Sequence, residues 1–435
     1  MKSLKSLVIT SLLAAGLAGQ ASAVNTTAFI HIVGAPAYRQ NSNDTITAVV
    51  ATFGATAGLT ATTATANTVS AIESAKQNQW KIPNYTSGVD LIINASYTGS
   101  TSGFESVASA GAGGVTQKFI ADGTGTVATP TVGASATAVL TPDNTWITLS
   151  DTYQATTIFN GLLTLFGGPG NTLPFTHNYQ PLNATPLGVE PYRFVVSPGA
   201  PAGFTNINAV QAQALFAAGS LPLAFFTGNN ADEGTTVYAL SRDGGSGSRL
   251  VALTETGYEL PGIQNAIVTY KPTVTGGTLD SANSRVGGAI ASGTPPAYPV
   301  GVIPSTGVYD GNLGDVGYPS FGTTDQTGLL LAVTSSHPAN ELFVTYLNID
   351  DSTEAAAAGA KILTYNGVTY SSSAVAEGNY TFWSYEQLFA PATQSSAAGS
   401  FSNLLVNEFP NHAAVPLSSL NVARSVDGGA IGTLY

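Results

Sequence analysis

The stretch Ser241-Arg242-Asp243-Gly244-Gly245-Ser246-Gly247-Ser248-Arg249 decides how the chain is read. It follows Thr235-Thr236-Val237-Tyr238-Ala239-Leu240, an apolar, β-leaning run, and precedes Leu250-Val251-Ala252-Leu253-Thr254-Glu255, which has helical character. The order is strand, glycine-hydroxyl loop, helix start. A helix N-terminus carries unpaired N–H groups and a partial positive charge. Glycines let the backbone wrap closely round an anion, and successive N–H groups form a concave nest. Ser246 and Ser248 add hydroxyl donors, and Arg242 adds a planar fork suited to tetrahedral oxyanions. Asp243, acceptor-only when ionised, could bond only a ligand that keeps a proton. A plain serine-glycine turn beside a surface arginine has the same composition, so the rest of the chain must decide.

Two further units repeat the order. Ala28-Phe29-Ile30-His31-Ile32-Val33 leads into Gly34-Ala35-Pro36-Ala37-Tyr38-Arg39 and then a helix from near Asp44 to Phe53. Pro36 suits a first helical turn, where its missing N–H costs little. Val89 to Tyr97 leads into Thr98-Gly99-Ser100-Thr101-Ser102-Gly103 and a helix at Phe104 to Ala108. Trp146-Ile147-Thr148-Leu149 is a short strand ending in Ser150-Asp151, a pair that also suits a helix N-cap. Strands are expected at Tyr192–Val196, Ala266–Tyr270, Val300–Ile303 and Gly328–Val333. A strand or extended segment is expected at Glu377–Tyr385, and a helix at Asn208–Phe216, ending near Gly219. Residues 54–70 are Ala/Thr-rich, a helix with Ser70, Glu73 and Lys76 follows, and residues 109–142 read as loops or an inserted hairpin. Strands alternating with helices predict an α/β fold with mostly parallel sheets, whose ligands bind at the carboxyl ends of strands.

Composition bounds the function. Lys2 and Lys5, the apolar run Leu7 to Ala18 and Ala21-Ser22-Ala23 read as a cleaved signal peptide over residues 1–23. The apolar run is too short to span a membrane. The expected product is periplasmic, secreted or on the cell surface, without membrane insertion; with no cysteine it is not a lipoprotein. Charged residues are only 9% of the chain, so Ser, Thr, Asn and Gly cover most of the surface. Of the 13 basic side chains, Lys2 and Lys5 leave with the signal, so 11 face 25 acidic ones, a net charge of −14 with neutral histidine. That sign argues against nucleic acid as a partner and requires any anion site to work through local donors.

Taken together, the loops resemble the phosphate-binding-like solute-binding proteins of ABC importers, of the two-lobed type II. The resemblance implies a two-lobed periplasmic-binding-protein-like fold. One lobe takes 24–195 and returns over 319–435; the other takes 196–318. Three segments are matched besides the loops: Asn208 to Gly219, Gly314-Asp315-Val316-Gly317-Tyr318, and Glu377 to Trp383. It further implies a tetrahedral oxyanion, phosphate first, held between the lobes for an ABC permease, with no cofactor and no catalysis. Carried over loop by loop, the ligand-binding residues are Ala35, Ala37 and Tyr38 from the first loop and Ser100 from the second. Asp151 comes from the third, accepting from a protonated oxyanion, and Arg242, Ser246, Gly247 and Ser248 from the fourth. The chain departs from the pattern at Pro36-Ala37, where the family offers a hydroxyl. Gly244 stands where phosphate binders often have an acidic residue, and Ser248 stands for a threonine. Molybdate- and tungstate-type binders share a similar arginine and serine-glycine loop.

Other chemistries fit less well. His31, His177, His337 and His412 are scattered and read as structural. No nucleophile elbow or NTPase phosphate loop occurs, and Asp310, Asn312 and Asp315 make an incomplete calcium loop. Trp80, Trp146 and Trp383 read as core or lobe-packing residues. A phosphoesterase lacks an evident nucleophile or metal. The alternative from another class is a surface structural protein that keeps the fold without a ligand, favoured by the low charge, the Thr/Ala/Gly-rich tracts and the altered first loop.

Overall fold

The computed structural model describes residues 25–57, 62–65, 77–109, 116–120, 140–143, 145–157, 159, 179–242, 246–258, 274–275, 278–279, 329–330, 333–334 and 337–434. The signal segment, the runs at 266–270 and 300–303, and the Gly314–Tyr318 motif lie outside them.

The first part of the chain builds two βα units and a further parallel strand. Strand β1 (Thr26–Gly34) leads through a short turn at Pro36–Tyr38 into helix α1 (Arg39–Ala57). β2 (Thr62–Thr65) and β3 (Gln77–Thr86) form an antiparallel pair, and β3 pairs in turn with β4 (Val89–Ser96). Helix α2 (Ser100–Ala108) follows. β5 (Gln117–Ile120) and β6 (Leu140–Asp143) make the inserted hairpin, and β7 (Ile147–Ser150) ends at Asp151. β1 is parallel to both β4 and β7, with Val33 opposite Ser96 and Gly34 opposite Leu149, so the carboxyl ends of the three strands lie side by side. All three are apolar runs, as strands covered on both faces must be. α1 and the late helix cover one face through Ile46, Val49, Val50, Phe401 and Leu405, while α2 covers the other through Phe104 and Ala108.

β8 (Asn183–Val196) is longer than the run Tyr192–Val196 that sequence marked, and it crosses between two halves of the sheet. After it come β9 (Asn206–Ile207), α3 (Ala209–Ala218), β10 (Ser220–Pro222), β11 (Thr236–Ala239), α4 (Gly247–Glu255), β12 (Val274–Thr275) and β13 (Thr278–Leu279). β14 (Glu341–Asn348), α5 (Ile349–Ala357), β15 (Lys361–Ile362), β16 (Thr364–Tyr365) and α6 (Ser372–Ala376) follow. β17 (Trp383–Ala390), α7 (Ser396–Glu408), β18 (Val422–Ala423) and β19 (Gly432–Thr433) complete the described chain. The large sheet runs β10-β11-β14-β8-β17-β7-β1-β4-β3-β2, with β15 also on β8. Its parallel pairs are β1–β4, β1–β7 and β11–β14; the long crossing strands β8 and β17 pair antiparallel.

The registers locate the crossing. Residues 183–191 of β8 pair with β17, and residues 192–196 pair with β14, with Asn348 opposite Tyr192 and Trp383 opposite Pro191. β14 also lies parallel to β11, so it shares the second half of the sheet. In the sheet, pairing with the first half resumes at Trp383. Two expectations change. Leu329, Leu330, Val333 and Thr334 are helical, not extended, with Thr334 Oγ1 donating to Leu330 O at 2.8 Å. Trp146 is 40% exposed, while Trp80 and Trp383 are core residues as expected.

Candidate functional site

The three carboxyl ends of β1, β4 and β7 present the first three loops together, and the start of α4 meets them. Ser100, first residue of α2, donates from Oγ to Asp151 Oδ1 at 2.6 Å, and Asp151 N–H donates back to Ser100 Oγ at 3.2 Å. Gly247, first residue of α4, closes on this pair: a Cβ there would overlap Asp151 Oδ1 and lie 2.7 Å from Ser100 Cβ and Oγ. Glycine at this position is a packing requirement for the loops to meet. Ser246 caps α4, accepting from Arg249 N–H at 3.2 Å, and its hydroxyl lies 2.9 Å from that of Ser248. Ser100, Asp151, Ser246 and Ser248 are all buried.

Asp151 is an accepting group held in a dry place. Its second oxygen, Oδ2, accepts from Tyr192 OH at 2.8 Å. Burial raises its carboxyl above the ordinary range, against the opposing pull of the Ser100 and Tyr192 hydrogen bonds and the Arg242 guanidinium. Asp151 does not stand at a helix N-cap; the short helical turn that follows begins after Tyr153, with no side-chain cap. Arg242 is 1% exposed, and its N–H donates to Tyr346 OH at 3.3 Å, while Tyr346 OH lies 2.8 Å from Ser241 Oγ.

The first loop contributes differently from the other three. Ala35 N–H donates to Leu149 O at 2.9 Å, which ties the start of this loop to the end of β7. Ala37 O accepts from Asn348 Nδ2, a contact between the first loop and the end of β14. Tyr38 is fully buried, and burial, then the charges of Asp151, Glu386 and Glu190, raises its phenol well above the ordinary value.

Sequence reasoning missed the layer beneath the site. Tyr192 read only as the start of a strand, because its partner Asp151 is 41 residues away. Glu190 and Glu386 lie on neighbouring strands, Glu190 opposite Ser384 and Glu386 opposite Gly188, and both are buried. Each is raised above the carboxylate range, first by burial; Asn41 Nδ2 donates to Glu386 Oε1 at 3.2 Å. Their alternation with apolar neighbours is the one signal the sequence carried. Of the histidines, His31 stacks on Phe119 at 4.6 Å, His337 contacts Pro198 O at 2.9 Å and His412 lies 3.1 Å from Glu408; His177 is outside the described residues. Among the described residues, no group of three or more His, Cys, Asp or Glu side chains could hold a metal, and no helix is long and apolar enough to cross a membrane.

No protein-family model and no curated protein matches the sequence. Solved structures are similar to it at low TM-score. One is an ABC-type phosphate transport receptor from Vibrio cholerae, at 10% identity and TM-score 0.39, covering 87% of this chain and 93% of that one. PstS from Borrelia burgdorferi matches at 10% identity and TM-score 0.35, covering 88% and 96%. A full-length OxyR from Pseudomonas aeruginosa matches at 8% identity and TM-score 0.32, covering 92% and 75%. These are likenesses between distant chains, and the functional reading rests on the loops themselves.

Proposed function

We propose that this chain is an extracytoplasmic solute-binding protein that takes a tetrahedral oxyanion, phosphate first, where its loops converge, and delivers it to an ABC permease. The observation that supports this is the meeting of Ser100, Asp151 and Gly247, three residues from separate loops, beside the buried Arg242. The α2 N-terminus at Ser100, the α4 N-terminus with Ser246 and Ser248, and Arg242 supply donors. Asp151 supplies an acceptor, which favours an oxyanion that keeps a proton. The lobes in this reading are 24–191 with 383–435, and 192–382. Closure about the two crossings buries the anion. Calorimetry with phosphate, sulfate, molybdate and tungstate tests it. Phosphate should bind, and Arg242→Ala should weaken binding at least about a hundredfold, the loss of a buried charge-assisted clamp. Silence towards all four anions ends this reading.

The second reading is a surface structural protein that keeps the fold without a ligand. It is favoured by Asp151, whose two oxygens already accept from Ser100 and Tyr192 while Gly247 packs on the first of them. Ordered arrays or filaments by electron microscopy, together with no anion binding, are its expected signature.

A further inference from the structure

The last segment of the chain touches both halves of the sheet beside the candidate site. β18 and β19 pair with Val422 opposite Thr433 and Ala423 opposite Gly432, and the loop between them carries Arg424 and Asp427, both buried. Arg424 faces the second half. Its Nη1 lies 3.0 Å from Glu255 Oε2, at the last residue of α4, and its Nη2 donates to Thr381 O at 2.5 Å. The guanidinium lies 4.2 Å from the centre of a Trp383 ring, and Thr381 Oγ1 donates to the other Glu255 oxygen at 2.5 Å. Asp427 faces the first half. Its Oδ2 accepts from Tyr153 N–H at 2.8 Å, from Thr156 Oγ1 at 2.5 Å and from Thr152 Oγ1. Those donors follow immediately on Asp151. Tyr153 OH completes the link by donating to Arg424 O at 3.2 Å.

One short loop thus binds the far end of α4, whose near end is Gly247, to the residues that carry Asp151. Buried charges are held by their partners, and removing one partner strands the other in a dry site. A loop anchored so on both sides resists separation of the two elements. Gly428 fits the same picture. Its φ is +63°, and a Cβ there would overlap the Thr254 carbonyl of α4.

We propose that the Arg424–Asp427 loop is a clasp across the two halves, and that Arg424 and Asp427 are positioning residues that set α4 against the Asp151 loop. The binding arm of the test rests on the anion-site reading; the distance arm does not. The chain has no cysteine, so Trp146→Cys with Phe225→Cys places two spin labels on exposed positions, one in each half. Pulsed spin-resonance distances should be narrow in this parent, and broader and longer in Asp427→Ala and in Gly428→Ala. Gly428→Ala dislodges the loop without touching a buried charge. Asp427→Asn keeps an oxygen for the three donors, and its new amide replaces Oδ1, a buried atom without a hydrogen-bond partner. It should stay close to the parent. Phosphate should leave Asp427→Ala at least about tenfold faster than it leaves the parent, and leave Asp427→Asn at nearly the parent rate. If the parent binds no phosphate, the function reading fails while the distances still decide the clasp. Parent-like distances in folded Asp427→Ala and Gly428→Ala overturn it. So does fast hydrogen exchange at Tyr153 N–H in the unmutated protein, where exchange as slow as in β7 is expected.

Discussion

Asp151 and Gly247 show how much one contact decides. The carboxylate sits where a helix start, a serine hydroxyl and a tyrosine hydroxyl meet, and only the absence of a side chain on Gly247 lets α4 come that close. Gly247→Ala should therefore push α4 away. We expect it to destabilise the protein by roughly 1–3 kcal/mol, as overpacking does, and to abolish oxyanion binding; urea midpoints and calorimetry check the two effects. Tyr192→Phe removes a donor from a buried carboxylate and should cost about 1–3 kcal/mol by the same urea measurement. Ser100, Asp151 and Gly247 were legible in the sequence because each sits in a short strand-loop-helix context. Tyr192, Glu190 and Glu386 were not, because what makes them notable is the strand register that brings them under the site.

At the scale of elements, local chemistry carried the helices well. α3 is closed at its start by a reciprocal cap, Asn208 Oδ1 accepting from Gln211 N–H at 2.8 Å and Gln211 Oε1 accepting from Asn208 N–H at 3.0 Å. Gly219 ends it in a positive-φ turn. Asn208→Ala should cost about 1 kcal/mol, visible as a lowered urea midpoint at unchanged slope. Residues 109–142 read as loops or an inserted hairpin, and β5 and β6 pair antiparallel there; the three βα units are where their apolar runs put them. What stayed hidden was non-local. β3 is polar and is assigned no element from sequence, yet it pairs with β4 as a strand. β14 could be assigned to its half of the sheet only through its pairs on β11 and β8, which no short motif encodes. The run at 328–333 is apolar throughout, and such runs suit a buried helix as well as a strand.

The whole molecule carries several buried carboxyls. Burial raises Asp151, Glu190, Glu255 and Glu386 above their ordinary range and pushes Asp427 up to about 6. Relative to the unfolded chain, folding therefore shifts each of these groups toward its neutral form. Unfolded, these groups ionise near 4, so their contribution is complete below that pH and is lost as the pH rises through the folded values. Thermal midpoints should fall between pH 5 and pH 9. Glu386→Gln, which cannot ionise, should lessen that fall, and a fall as steep as in the unmutated protein would remove Glu386 from this account.

β8 has a consequence for how the protein comes apart. One continuous strand supplies hydrogen bonds to β17 over its first part and to β14 over its last, with no connecting segment between the two. Melting either set frays the template of the other. Scanning calorimetry should thus record a single endotherm whose calorimetric and van't Hoff enthalpies agree, as for one cooperative unit.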